Sequence, residues 1–250
     1  MSPKVLLHGV PETTAIWDHV RAVLERLDVD GDVHTLALPG FAAPAPNGFG
    51  FTMDEYADWL VAELAAFGAP VDLVGHDWGG ILSARVASWS PGSLRSWVSD
   101  AAATLLPTYH WHDLAVLWQT EGAGEEFWAS MIADRAASSE LMSSFGVPPA
   151  DAAAMIDGVD DMMIAAILAL YRSADGIGTR WESTSRVATP GLVLVGADDQ
   201  FGNPESARTN AELLGAGFEV LDGAGHFWPV QAPEAGAQAL AGFWESLPNT

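Results

Sequence analysis

The residues best suited to chemistry are an aspartate, a pair of acids and a histidine, far apart in the chain. Asp77 sits in LVGHDWGG (73–80), Asp198 and Asp199 end the run VLVGADD, and His226 lies in GAGHFWPVQAPE. A carboxylate on a tight turn is a poor start for ordinary ester hydrolysis, but it can attack an electrophilic carbon and form a covalent ester. A histidine then activates water against that ester, and a second acid holds the histidine in position. Gly75-His76-Asp77-Trp78-Gly79 fits the G-x-nucleophile-x-G turn, whose glycines are required because a Cβ would clash where strand turns into helix. The competing reading of Asp77 is an N-cap of the following helix, a common use of aspartate. Of the two acids, Asp199 completes G-x-x-D after Gly196 and is the expected partner of His226, with Asp198 the alternative.

These residues need strands to carry them. Short apolar runs occur at KVLLHG (4–9), DVHTLAL (32–38), VDLVGH (71–76), LRSWVSD (94–100), GLVLVGA (191–197) and GFEVLDG (217–223). Several lack strict alternation, as strands buried on both faces of a parallel sheet do. Segments 17–28, 53–67, 79–90, 205–214 and 232–247 have apolar residues at helical spacing. The resulting βαβ alternation predicts an α/β fold with a mostly parallel, doubly wound sheet of about six strands. Nucleophile, acid and histidine then fall at three strand ends, in that chain order. Between Ala101 and Val187 no good strand run appears. The expected organisation is a core domain of 1–100 and 188–250 with a helical cap, 101–187, over the C-terminal ends of the strands, where open sheets place ligands.

Composition narrows the function classes. With 33 acidic against 10 basic residues in 250, the formal charge is −23, which argues against nucleic acid or an anionic membrane surface as partner. There is no cysteine, so disulfides, a thiol nucleophile and cysteine-ligated zinc are excluded. MSPKVLLHGVPE is far short of a secretory leader, and MMIAAILAL (162–170) is less than half of what spans a bilayer, so a cytoplasmic location is expected. His110 and His112 lack a third ligand at convincing spacing, and neither a metal nor another cofactor is expected. The assembly is left open, with a homodimer entertained.

Four motifs in order carry a resemblance: HGVP (8–11), LPGFAAP (38–44), GHDWGG (75–80) and GAGHFWPVQAPE (223–234). Together they resemble the α/β-hydrolase superfamily, and within it the branch of epoxide hydrolases and haloalkane dehalogenases with an aspartate nucleophile. By that resemblance KVLLHG corresponds to the strand that usually comes third, so the first β-hairpin of larger members is not expected here. The resemblance implies that Asp77 is the nucleophile, His226 the base and Asp199 the acid, that the backbone N–H groups of Trp78 and Val10 form the oxyanion hole, and that His8 is structural.

The leaving atom separates the two chemistries. An alkoxide needs a proton donor, whereas a halide takes only weak N–H donation. Epoxide hydrolases usually place two cap tyrosines at the oxirane oxygen, so the resemblance implies Tyr171 and Tyr109, although Tyr109 falls early and is equally a packing residue whose task His110, Trp111 or His112 could take. Several dehalogenases have Asn where this chain has Val10, which favours the epoxide. The expectation is an epoxide hydrolase giving a vicinal diol, with haloalkane dehalogenase, non-hydrolytic rearrangement or lyase chemistry, and a non-catalytic binding protein as alternatives. Trp78, Trp111, His110, Trp181 and Phe227 are expected to bind the substrate. Seven of the 11 tryptophans fall between residues 78 and 181. Most fill a helical core on this reading, but a nearly lysine-free aromatic pocket suits a bulky apolar or aromatic substrate, such as an intermediate of secondary metabolism.

Overall fold

The computed structural model describes residues 2–183 and 185–248. Six strands form one sheet: β1 (Lys4–Leu7), β2 (Val33–Leu36), β3 (Val71–Gly75), β4 (Leu94–Ser99), β5 (Gly191–Gly196) and β6 (Gly217–Leu221). Their order is β2-β1-β3-β4-β5-β6, and every neighbouring pair is parallel. Hence the sheet is wholly parallel where a mostly parallel one was expected. β1, β3 and β5 are buried along their whole length, while the edge strands β2 and β6 are partly exposed. That difference explains why the inner strands read as continuous apolar runs and GFEVLDG as an alternating one.

The chain steps from β1 outward to β2 and back across β1 to β3. With right-handed crossovers, α1 (Asp18–Arg26) and α2 (Met53–Ala66) therefore cover opposite faces. α3 (Trp78–Trp89) packs with α2, and α1 packs with the terminal helix. α2 begins in a capping box, in which the Thr52 hydroxyl accepts from Glu55 N–H and the Glu55 carboxylate accepts from Thr52 N–H. The reversal of strand order beside β1 opens a crevice at the strand C-termini.

No strand occurs among the described residues between β4 and β5. The segment instead holds a short 3-10 turn (Ala102–Leu105) and six helices: α4 (Asp113–Gln119), α5 (Ala123–Ala133), α6 (Arg135–Ser144), α7 (Pro149–Asp157), α8 (Asp161–Ser173) and α9 (Ile177–Arg180). The greasy run 162–170 is the body of α8, whose Met163, Ala166, Ile167 and Leu170 are fully buried. Its end is fastened to α2: Met53 N–H donates to Ser173 Oγ, and Trp181 Nε1–H donates to Asp54 Oδ1 at 2.8 Å. α10 (Pro204–Leu214), α11 (Trp228–Gln231) and α12 (Pro233–Ser246) complete the chain. No helix is long and apolar enough to cross a membrane.

Candidate active site

Asp77 stands between β3 and α3 with φ +51° and ψ −120°, a conformation that costs a non-glycine residue about 1–3 kcal/mol. The neighbouring glycines make this turn possible, because a Cβ on Gly75 would collide with the Gly79 carbonyl and one on Gly79 with the Leu7 carbonyl. Asp77 occupies the N-cap position of α3, but its side chain makes no cap hydrogen bond. Its Oδ1 instead accepts from Val10 N–H at 2.8 Å, and the Trp78 N–H also bears on the carboxylate. The two N–H groups expected to form an oxyanion hole thus converge on the Asp77 carboxylate itself. Behind them His8 is fully buried, accepting at Nε2 from Leu38 N–H, so that its Nδ1–H donates to Gly9 O. Its place is structural.

His226 comes from the loop after β6. Its Nδ1 lies 3.1 Å from Asp199 Oδ2 and its Nε2 lies 3.6 Å from Asp77 Oδ2. Asp199 Oδ1 accepts from Phe201 N–H at 2.7 Å and Gly202 N–H at 3.0 Å, so the acid itself is held rigidly. Burial disfavours a charged imidazole, yet Asp199 and then Asp77 outweigh it and hold the His226 pKa well above its ordinary value. Burial likewise opposes the carboxylate charges, but His226 keeps Asp77 low and Asp199 down at about 2. Asp198 is exposed on the turn beside it, which decides between the two acids in favour of Asp199.

Preceding Asp77 in the chain is a second histidine, which the sequence reading left without a role, its ring 5.1 Å from that of His226. His76 is fully buried between Asp100, 2.5 Å from Nδ1, and Glu12, 2.9 Å from Nε2. Burial opposes its charge, but the two carboxylates raise its pKa to about 10. Asp100 Oδ1 accepts from Asp77 N–H at 2.8 Å, Asp100 Oδ2 accepts from Trp228 Nε1–H, and Glu12 Oε2 accepts from Gly9 N–H. This buried chain joins the oxyanion loop, the nucleophile turn, the end of β4 and the segment after His226. Its only sequence signals were an acid at a strand end, an acid after HGVP and a histidine inside the nucleophile motif.

Two cavities meet at Asp77 and His226, sharing these two residues, His112 and Phe201 as common walls. The first runs under the helical segment, has a volume of about 40 Å³ and is walled by Trp118, Phe127, Trp128, Met131 and Met142. Besides the shared polar groups it contains Tyr171. The second has a volume of about 240 Å³ and is lined by Asp100, Thr108, Tyr109, Asn203 and Ser206 among others. Burial, and after it the Asp77 carboxylate, raise the pKa of the Tyr171 hydroxyl well above the usual tyrosine range, and Tyr109 is raised for the same reasons in the same order. Both phenols are protonated at neutral pH. Tyr171 lines the first cavity and Tyr109 the second, and both lie close enough to Asp77 to feel its charge.

The expected substrate contacts also divide. Phe227 lines the apolar chamber, and His110 and Trp111 line the polar one. Trp181 lies elsewhere, buried between Asp54 and the Arg85 guanidinium, where it anchors the end of the helical segment. The Trp78 side chain lines neither chamber: it is fully buried, stacked on Trp111 at 5.8 Å with its ring edge-on to Tyr171. Its indole N–H lies close to the Tyr171 hydroxyl but outside hydrogen-bond geometry. Trp181 is thus a correction to the substrate-binding set, because its indole is consumed by packing and by its bond to Asp54, whereas the Trp78 indole N–H is left without a partner. No cluster of three or more metal-ligating side chains occurs among the described residues.

Residues 5–239 match the profile of the Alpha/beta hydrolase family. Among solved structures, haloalkane dehalogenase DbeA from Bradyrhizobium elkani is similar at 21% identity, covering 98% of this chain and 91% of that one with a TM-score of 0.75. Cfl2 from Burkholderia cenocepacia is similar at 20% identity, 97% and 87% coverage and a TM-score of 0.77. A variant of a proposed epoxide hydrolase from Pseudomonas aeruginosa follows at 20% identity, 98% and 88% coverage and a TM-score of 0.73. At these identities the likeness establishes the fold and leaves the reaction to the site.

Proposed function

Since the chain belongs to the α/β-hydrolase family, we propose that it is an epoxide hydrolase that opens its substrate through a covalent ester on Asp77. The observation that carries this reading is the placing of Asp77, His226 and the protonated Tyr171 around one largely apolar chamber. Asp77 Oδ2 attacks an oxirane carbon, the carbon–oxygen bond breaks, and Tyr171 gives its proton to the departing oxygen. The ester that forms has no charge, so His226 loses one of the two carboxylates that held its proton. That proton passes to the tyrosinate, leaving a neutral imidazole beside a new ester.

His226, still held by Asp199, then takes a proton from water as the hydroxide attacks the Asp77 carbonyl. The N–H groups of Val10 and Trp78 stabilise the oxyanion, since they already address the carboxylate. Collapse releases the diol, which receives the proton from His226, and the Asp77 carboxylic acid returns a proton to His226 to restore the ion pair. Asp77 is a base-free nucleophile, which fits alkyl transfer and not acyl transfer. A single turnover in heavy-oxygen water tests the scheme: the first product should be unlabelled and the label should appear in Asp77. Label entering the first product directly would rule out the ester.

The unpartnered Trp78 indole N–H beside Tyr171 favours one second reading, haloalkane dehalogenase, since such a donor suits a halide. Halide release from a panel of bromoalkanes, exceeding diol formation from matched epoxides, would select it.

A further inference from the structure

His112 forms part of both chambers, and its hydrogen bonding fixes what it offers them. It is the N-cap of α4, where Ala115 N–H donates to His112 Nδ1 at 3.2 Å. An imidazole that accepts at Nδ1 and is neutral carries its proton on Nε2. Burial lowers its pKa despite the nearby Asp77 carboxylate, so the neutral form prevails. Nε2–H has no protein acceptor among the described residues, and the ring is held against Phe201 at a centroid distance of 4.9 Å. The result is a donor without a protein partner, half-buried at the junction of a smaller apolar chamber and a wider one with more polar groups in its wall. A ligand acceptor that reaches it adds a hydrogen bond worth about 0.5–1.5 kcal/mol net, so such a ligand is preferred over one without an acceptor.

We propose that the substrate straddles Asp77, with a slender apolar limb under Trp118 and Trp128 and, on the other reacting carbon, a hydrogen-bond acceptor that His112 Nε2–H reads at the mouth of the polar chamber. This rests on the Asp77 ester reading and adds a polar group to the apolar substrate expected from the sequence. The smaller chamber, about 40 Å³, is walled by apolar side chains and suits an alkyl limb, whereas the about 240 Å³ on the other side includes Thr108, Asn203 and Ser206 in its wall, which solvate polar groups. The substrate class is an internal epoxide with an alkyl group on one carbon and a carbonyl-type group on the other.

The test compares two trans-epoxides, each with a pentyl group on one oxirane carbon and either an acetyl or an isopropyl group on the other. These substituents have similar shape, and only the acetyl group accepts a hydrogen bond. The readout is the ratio of kcat/KM for ketone over isopropyl, taken in the wild type, in His112→Ser, which keeps the helix cap and removes the donor, and in His112→Phe, which keeps the ring and removes it. The ratio of ratios cancels the intrinsic reactivity of the ketone. The wild-type ratio should exceed that of both variants by about tenfold, which corresponds to about 1.4 kcal/mol. Equal ratios in the wild type and both variants would overturn the assignment. Intact mass of His226→Gln with each epoxide reports separately on the covalent step: an Asp77 adduct without a change of ratio refutes the role of His112 alone, and no adduct from either epoxide refutes the ester reading beneath it.

Discussion

His226 and His76 lie 5.1 Å apart, ring centroid to centroid, and each sits between two carboxylates. Both are held in the charged form by those carboxylates against the cost of burial. They differ in access. His226 opens onto both chambers, and in the proposed scheme one of its two carboxylates is consumed, so that its proton affinity changes during that cycle. His76 meets no cavity, and neither Glu12 nor Asp100 reacts, so its charge is constant and serves to hold four loops together. The same pair of residue types serves as the base of the proposed scheme in one place and as a brace in the other, according to whether the group faces a cavity.

The largest break in this comparison is His226→Gln, which should cut steady-state diol formation by about 10⁴-fold or more and leave an adduct on Asp77 visible by intact mass. His76→Gln should lower activity without trapping any adduct. Asp199→Asn should cost about 10³–10⁴-fold in kcat, while Asp198→Asn stays within about twofold, measured on the same epoxide. Tyr171→Phe should slow adduct formation by about 10²-fold or more, read by single-turnover quench. In Asp100→Asn the amide oxygen still accepts from Asp77 N–H, but His76 loses a charge partner. Thermal unfolding should show a loss of about 3 kcal/mol, as for other broken buried pairs, with a kcat decrease of about tenfold.

The smallest expected effect sharpens the sense in which His76 is a brace. Its folded pKa, about 10, lies above the ordinary 6.5, so the stability it contributes is fully present below about pH 6.5 and is lost progressively as pH rises through 10. The melting temperature should therefore fall between pH 7 and 10. His76→Gln should flatten that slope, and an unchanged slope in the variant would remove the buried charge from the account.

Much of this arrangement was legible in the sequence. The six strand runs, the helical segment between the fourth and fifth strands, and Asp77, Asp199 and His226 could all be read, because each depends on local chemistry. Glycines mark the turn, an apolar run marks an inner strand, and an acid or histidine follows a strand end. The Glu12–His76–Asp100 chain was less legible, since its members are 64 and 24 residues apart and each looks ordinary in its own segment. The placing of the tyrosines was illegible for a related reason. Tyr109 and Tyr171 both lie in the helical segment, but that says nothing about which side of His112 and Phe201 each faces.

The sequence by itself determined an aspartate on a glycine-flanked turn from strand to helix, with an acid and a histidine following later strands of a parallel α/β sheet. These follow from steric limits on glycine and from the burial of continuous apolar runs, which act over a few residues. Only the tertiary structure decided that His226 pairs with Asp199, that His76 is sealed while His226 is open, that Trp181 is an anchor for the helical segment, and that the space before Asp77 is divided in two. Those outcomes depend on which side chains exclude water from which carboxylates. That is a property of packing between segments far apart in the chain, and no local pattern encodes it.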